Sequence, residues 1–479
     1  MLDPTVQRTA AQSPASIRSG DLNAPLKIGV AWLTGTYILF LLVGQVGKVP
    51  DLSKLTMFVS ATIFAFAAGY RLKIRSYTAG DLGPPAAKTA NEMRSVRRWV
   101  TVSGLYLSLF GLTLVSEYGA SSPADVLNAV LHPGSAYFFR LRDADLSASS
   151  IVLQALTLLA VLTTPLVPLA VLYWGRLTTT TRTVTIAAVT LYSAYWVFIG
   201  TQKGLGDLAV FALAALLVRA QGRHQAGGRI RRVAPVVLIA VVFVGYMSFN
   251  QSDRLNSQGQ QGNFEPNPIV ASVTGKDFAR GLGLTAAYPS HGYLGLAYNL
   301  DTPFKWTGLR GASRALDGYW TQYTGQTSVF DDTYPARTEI RTGWPAKMYW
   351  ATIYPWLASD VTFPGAVLFM GLVGWWLARF WYESVWQSRM LSLFLLCQLA
   401  LLLAYVPANN QVGITRPGLI TFLSLAGLYF FASVNRAFSR RLRLRSPLLP
   451  APPTGSGTRP FGRLSSATTQ SAPTRPPQP

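Results

Sequence analysis

Long apolar stretches alternate with short polar ones along most of this chain. A helix needs about 20 mostly apolar residues to cross a lipid bilayer. The pattern therefore predicts an all-α polytopic membrane protein with about ten transmembrane helices. The fifth and sixth stretches are short, so a re-entrant pair stays open as an alternative there. The predicted spans are Ile28–Gly47, Leu52–Tyr70, Trp99–Tyr118, Ser149–Trp174, Val184–Ile199, Leu205–Val218, Val233–Phe249, Phe363–Phe380, Leu391–Val406 and Leu419–Val434.

Basic residues are concentrated in three polar segments, 71–98, 219–232 and 436–445. Short basic loops stay on the cytoplasmic side of a membrane, and with ten spans all three segments fall on one side. Both termini are then predicted to be cytoplasmic. The predicted division is a cytoplasmic N-terminal tail (1–26), transmembrane helices 1–7 (27–249), a large extracytoplasmic loop (250–361), transmembrane helices 8–10 (362–436) and a disordered cytoplasmic tail (437–479).

Composition supports the membrane assignment. The chain is 50% hydrophobic and 13% charged, whereas soluble domains carry about 25% charged residues. The net charge of +22 is then explained by loop bias, and no nucleic-acid partner is predicted. One cysteine, Cys397, excludes a disulfide framework and a cysteine-based metal site. We predict no metal and no cofactor.

The predicted loop 250–361 combines arginines with many tyrosines and tryptophans. A guanidinium matches the geometry of phosphate and carboxylate, and aromatic rings suit the apolar face of a sugar. The pattern favours a site for a phosphorylated or acidic glycan. The alternative is structural, because Tyr and Trp also gather at membrane interfaces and arginines pair with acids in any folded loop.

Two segments of the chain resemble a known family. HGYLGLAYNLDTPFKWTGLRGASRAL and RTGWPAKMYWATIYPWLASDVTFPGAVLFMGLVGWW look like the second half of bacterial oligosaccharide repeat-unit polymerases (O-antigen polymerase, Wzy-type). Upstream, GTQKGLGDLAVF resembles that family's turn of small and basic residues that opens a helix. The resemblance covers about Gly200 to Trp376, and the family commonly has Arg where this chain has Lys203.

The resemblance implies a GT-C-like glycosyltransferase of the bacterial cytoplasmic membrane. Such an enzyme transfers a growing glycan from undecaprenyl pyrophosphate to a new lipid-linked repeat unit, outside the membrane, for O-antigen, capsule or exopolysaccharide. Its partners would be undecaprenyl-pyrophosphate-linked oligosaccharides and the bilayer, with a chain-length regulator protein left open. Alternatives are an O-antigen-ligase-like enzyme, another transferase that uses lipid-linked sugars, and a polysaccharide transporter or flippase.

The reaction requires a diphosphate held by positive charge and an acceptor hydroxyl that is oriented and deprotonated. Helix N-termini favour anions, so Lys203 at the start of the sixth span is one diphosphate candidate, and Arg254 is a catalytic one. His291 is the first choice for the base, followed by Asp317, Glu339 and Asp360. Asp360 is also a candidate N-cap of the eighth span, and the segment after His291 is predicted to form a short helix along the membrane. Further contacts to diphosphate or glycan are predicted for Arg310, Arg314, Arg341, Arg416, Tyr293 and Trp306.

Overall fold

The computed structural model describes residues 22–77, 88–117, 123–134, 151–221, 229–257 and 268–445. These residues are helical with connecting turns, and no strand occurs among them. The helices of the first half are α1 Ala24–Val43, α2 Leu52–Arg75, α3 Ala90–Glu117, α4 Pro123–Leu131, α5 Ile151–Leu158, α6 Thr163–Tyr173, α7 Thr179–Phe198, α8 Lys203–Gln221 and α9 Arg229–Ser257. Those of the second half are α10 Pro268–Thr274, α11 Lys276–Ala287, α12 Gly292–Leu300, α13 Arg314–Thr324, α14 Tyr334–Thr342, α15 Tyr354–Val385, α16 Met390–Tyr405, α17 Gln411–Ile414 and α18 Arg416–Arg445.

Six helices of the described chain are long and apolar enough to cross a membrane: α1, α2, α3, α8, α15 and α18. Apolar side chains on these helices point outward, including Phe64, Leu109, Leu368 and Leu372. An exposed apolar surface of this kind suits contact with lipid. The chain is thus a polytopic helical membrane protein, and the prediction of an all-α architecture is confirmed. A helix lies at each of the ten predicted spans, while the count of ten stays a prediction.

The fourth predicted span is broken. Residues Ile151–Leu158 and Ala160–Arg176 pass the apolar criterion together but are bent by 59°. Pro165 and Pro168 lie just after the bend, and proline removes a backbone donor and disfavours helix in the residue before it. The re-entrant alternative had been assigned to the fifth and sixth spans. There, α7 and α8 have 20 and 19 residues, and of the two only α8 is both long and apolar enough to span.

The helix that leads into the large loop is longer than the sequence predicts. Helix α9 continues past Phe249 to Ser257, whereas the apolar part of α15 begins after a break at Thr362, next to the predicted start at Phe363. The prediction ended each span where apolar residues end, but a helix continues into polar residues that are compatible with it. For the same reason α18 reaches Arg445, so residues 437–445 are helical where a disordered tail was predicted. The predicted tails at 1–21 and 446–479 lie outside the described residues.

Helices α2 and α15 pack closely along each other. A Cβ on Gly69 would lie 1.9 Å from the carbonyl oxygen of Gly371, and one on Gly374 would lie 2.1 Å from that of Phe66. Small residues allow helix backbones to approach this closely in membranes. Elsewhere α3 packs on α6 and α7, and α8 packs on α6 and α16. Grouped by their contacts with one another, the residues up to Tyr429 form one compact unit. The residues from Phe430 onward form a second unit.

Helix α15 is interrupted at Thr362, which has φ 64° and ψ 167°. Asp360 therefore precedes the break and does not cap the apolar part, contrary to one of the two roles predicted for it. Its carboxylate instead accepts hydrogen bonds from Thr307 Oγ1 (2.5 Å), Gly311 N (3.2 Å) and Ala312 N (2.7 Å). These bonds fix the loop before α13 on the start of α15.

Candidate active site

The turn before α8 presents three polar residues in succession. Helix α7 ends at Phe198, and Gly200 takes φ +64°, a conformation that glycine adopts without strain. Thr201 and Gln202 follow, and α8 begins at Lys203. The amino end of α8 carries backbone N–H groups and a partial positive charge. This turn is where the sequence predicts anion binding.

A cavity of about 550 Å³ opens beside this turn, and we term it the cation cavity. Lys203 and Arg254 both line it, although they come from different helices. Arg254 also donates a hydrogen bond from Nη2 to the carbonyl oxygen of Gly200, which attaches the end of α9 to the turn. The structure thus brings together two of the predicted cations. The other walls of the cation cavity are mainly aromatic and apolar and include Trp32, Trp196, Met247, Tyr288, Trp350 and Tyr405.

Two polar side chains of the turn have atoms without a protein partner. Gln202 is 8% exposed, and its Nε2 makes no hydrogen bond within the described part of the chain; the same holds for Thr201 Oγ1. Both residues line the cation cavity. Buried polar atoms in native proteins are nearly always satisfied by protein, water or ligand. The two atoms therefore leave hydrogen-bonding capacity unused beside the cation cavity.

Lys203 has one carboxylate partner. Its Nζ lies 2.7 Å from Oδ2 of Asp207, one helical turn later, and 5.5 Å from the centre of the Trp196 ring. The other oxygen of Asp207 accepts a hydrogen bond from the Tyr405 hydroxyl at 3.0 Å. With Arg254 included, the group carries two positive charges and one negative. The net positive charge suits an anion.

A second cavity, of about 340 Å³, is also lined by Lys203. We term it the carboxylate cavity, because Asp207 lines it and does not line the cation cavity. The two cavities share Trp196, Lys203, Gln411 and Thr415. Apolar side chains of α3, α8 and α16 form part of its remaining wall, namely Leu107, Phe110, Leu114, Leu208, Phe211 and Leu401.

His291 lies behind the wall of the cation cavity. Its Nδ1 is 3.1 Å from the carbonyl oxygen of Tyr288, and its Nε2 accepts from the backbone N–H of Trp350 at 3.4 Å. Its ring stacks on Trp350 at 5.1 Å and 20°. Burial lowers the pKa of His291 from its ordinary value, which favours the neutral ring that these two bonds require. Both ring nitrogens thus have backbone partners, on Tyr288 and Trp350, and the role of base stays a prediction for His291.

Asp317 is buried and holds a turn of the loop region. It accepts hydrogen bonds from Ser328 Oγ (2.5 Å) and Val329 N (3.2 Å), and it lies 3.5 Å from Nη1 of Arg310. Arg310 also lies over the Trp320 ring, at 5.8 Å. These contacts connect α13 to the segment before α14. They give Asp317 and Arg310 structural partners, and neither residue is on the lining of the two cavities described above.

The remaining predicted arginines are also away from the lining of both cavities. Arg314 lies over the Phe330 ring at 5.5 Å, and burial lowers its pKa. Arg341 donates to the carbonyl oxygen of Asp301 (2.6 Å) and to Thr302 Oγ1 (3.1 Å). Arg416 donates to Gln322 Oε1 at 2.8 Å and lies 4.7 Å from the centre of the Tyr319 ring.

The two predicted aromatic contacts to sugar differ in exposure. Trp306 is 62% exposed and remains open to a ligand. Tyr293 is 1% exposed, and its hydroxyl lies 3.0 Å from Thr36 Oγ1, so its ring packs α12 onto α1. The predicted short helix after His291 is confirmed as α12, but it is buried on most of its surface. Tyr293 thus lies inside the packing, because residues on several faces of α12 meet neighbouring helices.

Comparison of the chain with protein-family models, with curated proteins and with solved structures gives no match. Within the described residues, no group of three or more His, Cys, Asp or Glu side chains is arranged to hold a metal ion. The site is therefore characterised by its own geometry. Sequence reasoning missed Gln202, Trp32 and Tyr405, and it did not single out Tyr288 and Trp350 among the aromatic residues of the loop. Gln202 adjoins Lys203 in the quoted turn, whereas the others reach the cavity only through long-range packing.

Proposed function

We propose that this protein is a membrane glycosyltransferase that polymerises oligosaccharide repeat units linked to undecaprenyl pyrophosphate. One observation carries the proposal: Lys203 and Arg254 meet the amino end of α8 in a single cavity among membrane helices. A lipid-linked diphosphate needs that combination, because its charge must be neutralised where lipid is close. In the reaction the same groups stabilise the charge that develops on the leaving diphosphate.

The walls of the cation cavity suit the rest of such a donor. Trp32, Ala209, Val210 and Met247 come from helices α1, α8 and α9 and offer apolar surface. A polyprenyl chain is apolar along its whole length. Tyr288 and Trp350 supply aromatic faces, against which the apolar face of a sugar ring packs. The resemblance of Gly200–Trp376 to repeat-unit polymerases supports the same substrate class.

The proposal is tested by glycan size in a deletion strain. The strain is complemented with wild type, Lys203→Ala, Arg254→Ala or Arg337→Ala. Arg337 is the matched control, because it is a half-buried arginine that donates to Pro303 O and lines neither cavity. We expect single lipid-linked units to accumulate with Lys203→Ala and with Arg254→Ala, and long chains to return with wild type and Arg337→Ala.

Other outcomes separate the alternatives. Long lipid-linked chains that are never transferred in the deletion strain would identify a ligase, which uses the same kind of donor. Repeat units trapped on the cytoplasmic face would identify a flippase. A deletion strain with unaltered glycan would overturn the proposal.

A further inference from the structure

The two cavities that meet at Lys203 differ in charge. The cation cavity is lined by Lys203 and Arg254. The carboxylate cavity is lined by the Lys203–Asp207 pair, whose charges cancel. A diphosphate is attracted to the first cavity and gains nothing electrostatically in the second. The second cavity instead suits a neutral ligand with hydroxyl groups.

The walls of the carboxylate cavity support a sugar as that ligand. Tyr192, Tyr195 and Trp196 provide aromatic faces along α7. Gln411, Thr415 and Thr421 add polar groups, of which Gln411 and Thr415 also reach the cation cavity. A volume of about 340 Å³ is at the lower end of the range for small-molecule sites. It accommodates the terminal sugar of a larger glycan, and the rest would extend outside.

Asp207 is the acidic side chain at the junction of the two cavities. Its Oδ2 is bound to Lys203 at 2.7 Å and its Oδ1 to the Tyr405 hydroxyl at 3.0 Å. Tyr405 and Lys203 both line the cation cavity. A ligand on the cation side therefore touches both partners of the carboxylate. Anything that draws Lys203 towards the cation cavity releases one oxygen of Asp207.

We propose that Asp207 is the proton acceptor of the transfer and that the carboxylate cavity holds the acceptor sugar; this inference rests on the proposed function. The acceptor hydroxyl oxygen forms a bond to the anomeric carbon of the donor. The bond from that carbon to the diphosphate oxygen breaks, and the diphosphate leaves with the electron pair. The hydroxyl proton passes to the Asp207 carboxylate and then to water.

The shared lysine couples the two cavities. Without donor, Lys203 is bound to one oxygen of the carboxylate. With donor, Lys203 binds the diphosphate, and Asp207 faces the acceptor hydroxyl with one oxygen released. The base is thus exposed only when a leaving group is in place. When no donor is bound, an acceptor or a water molecule meets a carboxylate that is still paired with Lys203.

The test separates binding from transfer. Purified wild type, Asp207→Asn and Asp207→Glu are placed in nanodiscs. Binding is measured with geranylgeranyl diphosphate, and transfer with lipid-linked units extracted from the deletion strain. Asparagine retains the acceptor oxygen for Tyr405 but takes up no proton. We expect Asp207→Asn to bind the probe at least as tightly as wild type and to lose transfer by about 10²–10⁴-fold, the range for a general base. Asp207→Glu retains measurable transfer.

Each contrary result has its own meaning. Normal transfer by Asp207→Asn would overturn the role of Asp207 and leave the proposed function intact. Loss of both binding and transfer in Asp207→Asn and Asp207→Glu, with unfolding temperatures below wild type, would make the carboxylate structural. Transfer absent in wild type itself would contradict the proposed function before Asp207 is considered.

Discussion

Two groups of charged side chains lie among the helices of this protein, and they are satisfied differently. Around Glu383, the carboxylate accepts from Ser392 Oγ (2.5 Å) and Tyr429 OH (2.9 Å), and it lies 3.2 Å from both Arg379 Nε and Arg389 Nη1. Every oxygen of this carboxylate has protein partners, and the bonds join α15, α16 and α18.

Around Lys203, the charges border cavities instead. Lys203 has one carboxylate partner. The neighbouring Gln202 Nε2 and Thr201 Oγ1 have no hydrogen-bond partner within the described residues. A polar group that is buried without a partner destabilises the fold. The Glu383 group thus holds helices together, whereas under the proposed function the Lys203 group gives up stability to bind a ligand.

The largest expected effect is on the Glu383 side of this comparison. Glu383→Ala leaves Arg379 and Arg389 without their carboxylate, and breaking a buried ion pair costs about 3–5 kcal/mol. We expect a strongly lowered unfolding temperature in detergent for Glu383→Ala. For Lys203→Ala we expect a smaller loss of stability and a large loss of diphosphate binding. Equal unfolding temperatures for the two variants would contradict the comparison.

The second largest effect is expected from a substitution at Gly204, where α8 packs closely against α7. A Cβ on Gly204 would lie 2.0 Å from Trp196 Nε1, whereas one on Gly245 of α9 meets nothing within 4 Å. Overpacking of this kind costs about 1–3 kcal/mol. We expect Gly204→Ala to lower the unfolding temperature and to weaken probe binding, because Trp196 lines both cavities. Gly245→Ala is the matched control and should leave both unchanged or raise stability.

The third prediction compares two buried glutamines that differ in whether their side-chain amide makes a hydrogen bond. Gln202 Nε2 has no partner among the described residues, while Gln398 Nε2 donates to Thr164 Oγ1 at 2.8 Å. An unpaired buried polar group costs about 1–3 kcal/mol. Gln202→Leu should therefore keep or raise the unfolding temperature while weakening diphosphate binding. Gln398→Leu should lower the unfolding temperature; a lowered value for Gln202→Leu as well would show that Gln202 is already satisfied.

The smallest expected effect concerns His291 and pH. Its folded-state pKa is lowered by burial, so the unfolded chain, with a pKa of about 6.5, binds the proton first. Stability is then fully present above about pH 6.5 and falls as the pH drops from there towards the folded pKa. We expect His291→Gln to remove part of this acid sensitivity in thermal unfolding. An unchanged pH profile would show that the ring titrates freely in the folded protein.

The sequence predicted the helical elements better than the site. Apolar runs gave a helix at each predicted span, because lipid requires length and hydrophobicity from each helix separately. The turn at Gly200–Lys203 was also recognisable, since glycines and a lysine precede an apolar run. In the structure Lys203 lines the cation cavity and also pairs with Asp207 one helical turn later.

The long-range part of the site was not predictable from local pattern. Arg254 was singled out for its place just after a span, but nothing local showed that it would reach Gly200. His291 and Tyr293 looked functional because they are polar or aromatic in a loop. Their actual partners, Trp350 and Thr36, lie far away in the chain. Packing between distant helices decides which polar residue faces a cavity and which faces a neighbour.

Binding of a diphosphate lipid to the purified protein is the most direct test of the account. Geranylgeranyl diphosphate and geranylgeranyl monophosphate are titrated into nanodiscs that hold wild type, Lys203→Ala or Arg337→Ala. The account predicts that wild type and Arg337→Ala prefer the diphosphate, and that Lys203→Ala loses at least about tenfold in affinity for it, or about 1.4 kcal/mol. Equal diphosphate affinity in all three proteins would contradict the central claim that the cation cavity is the donor site.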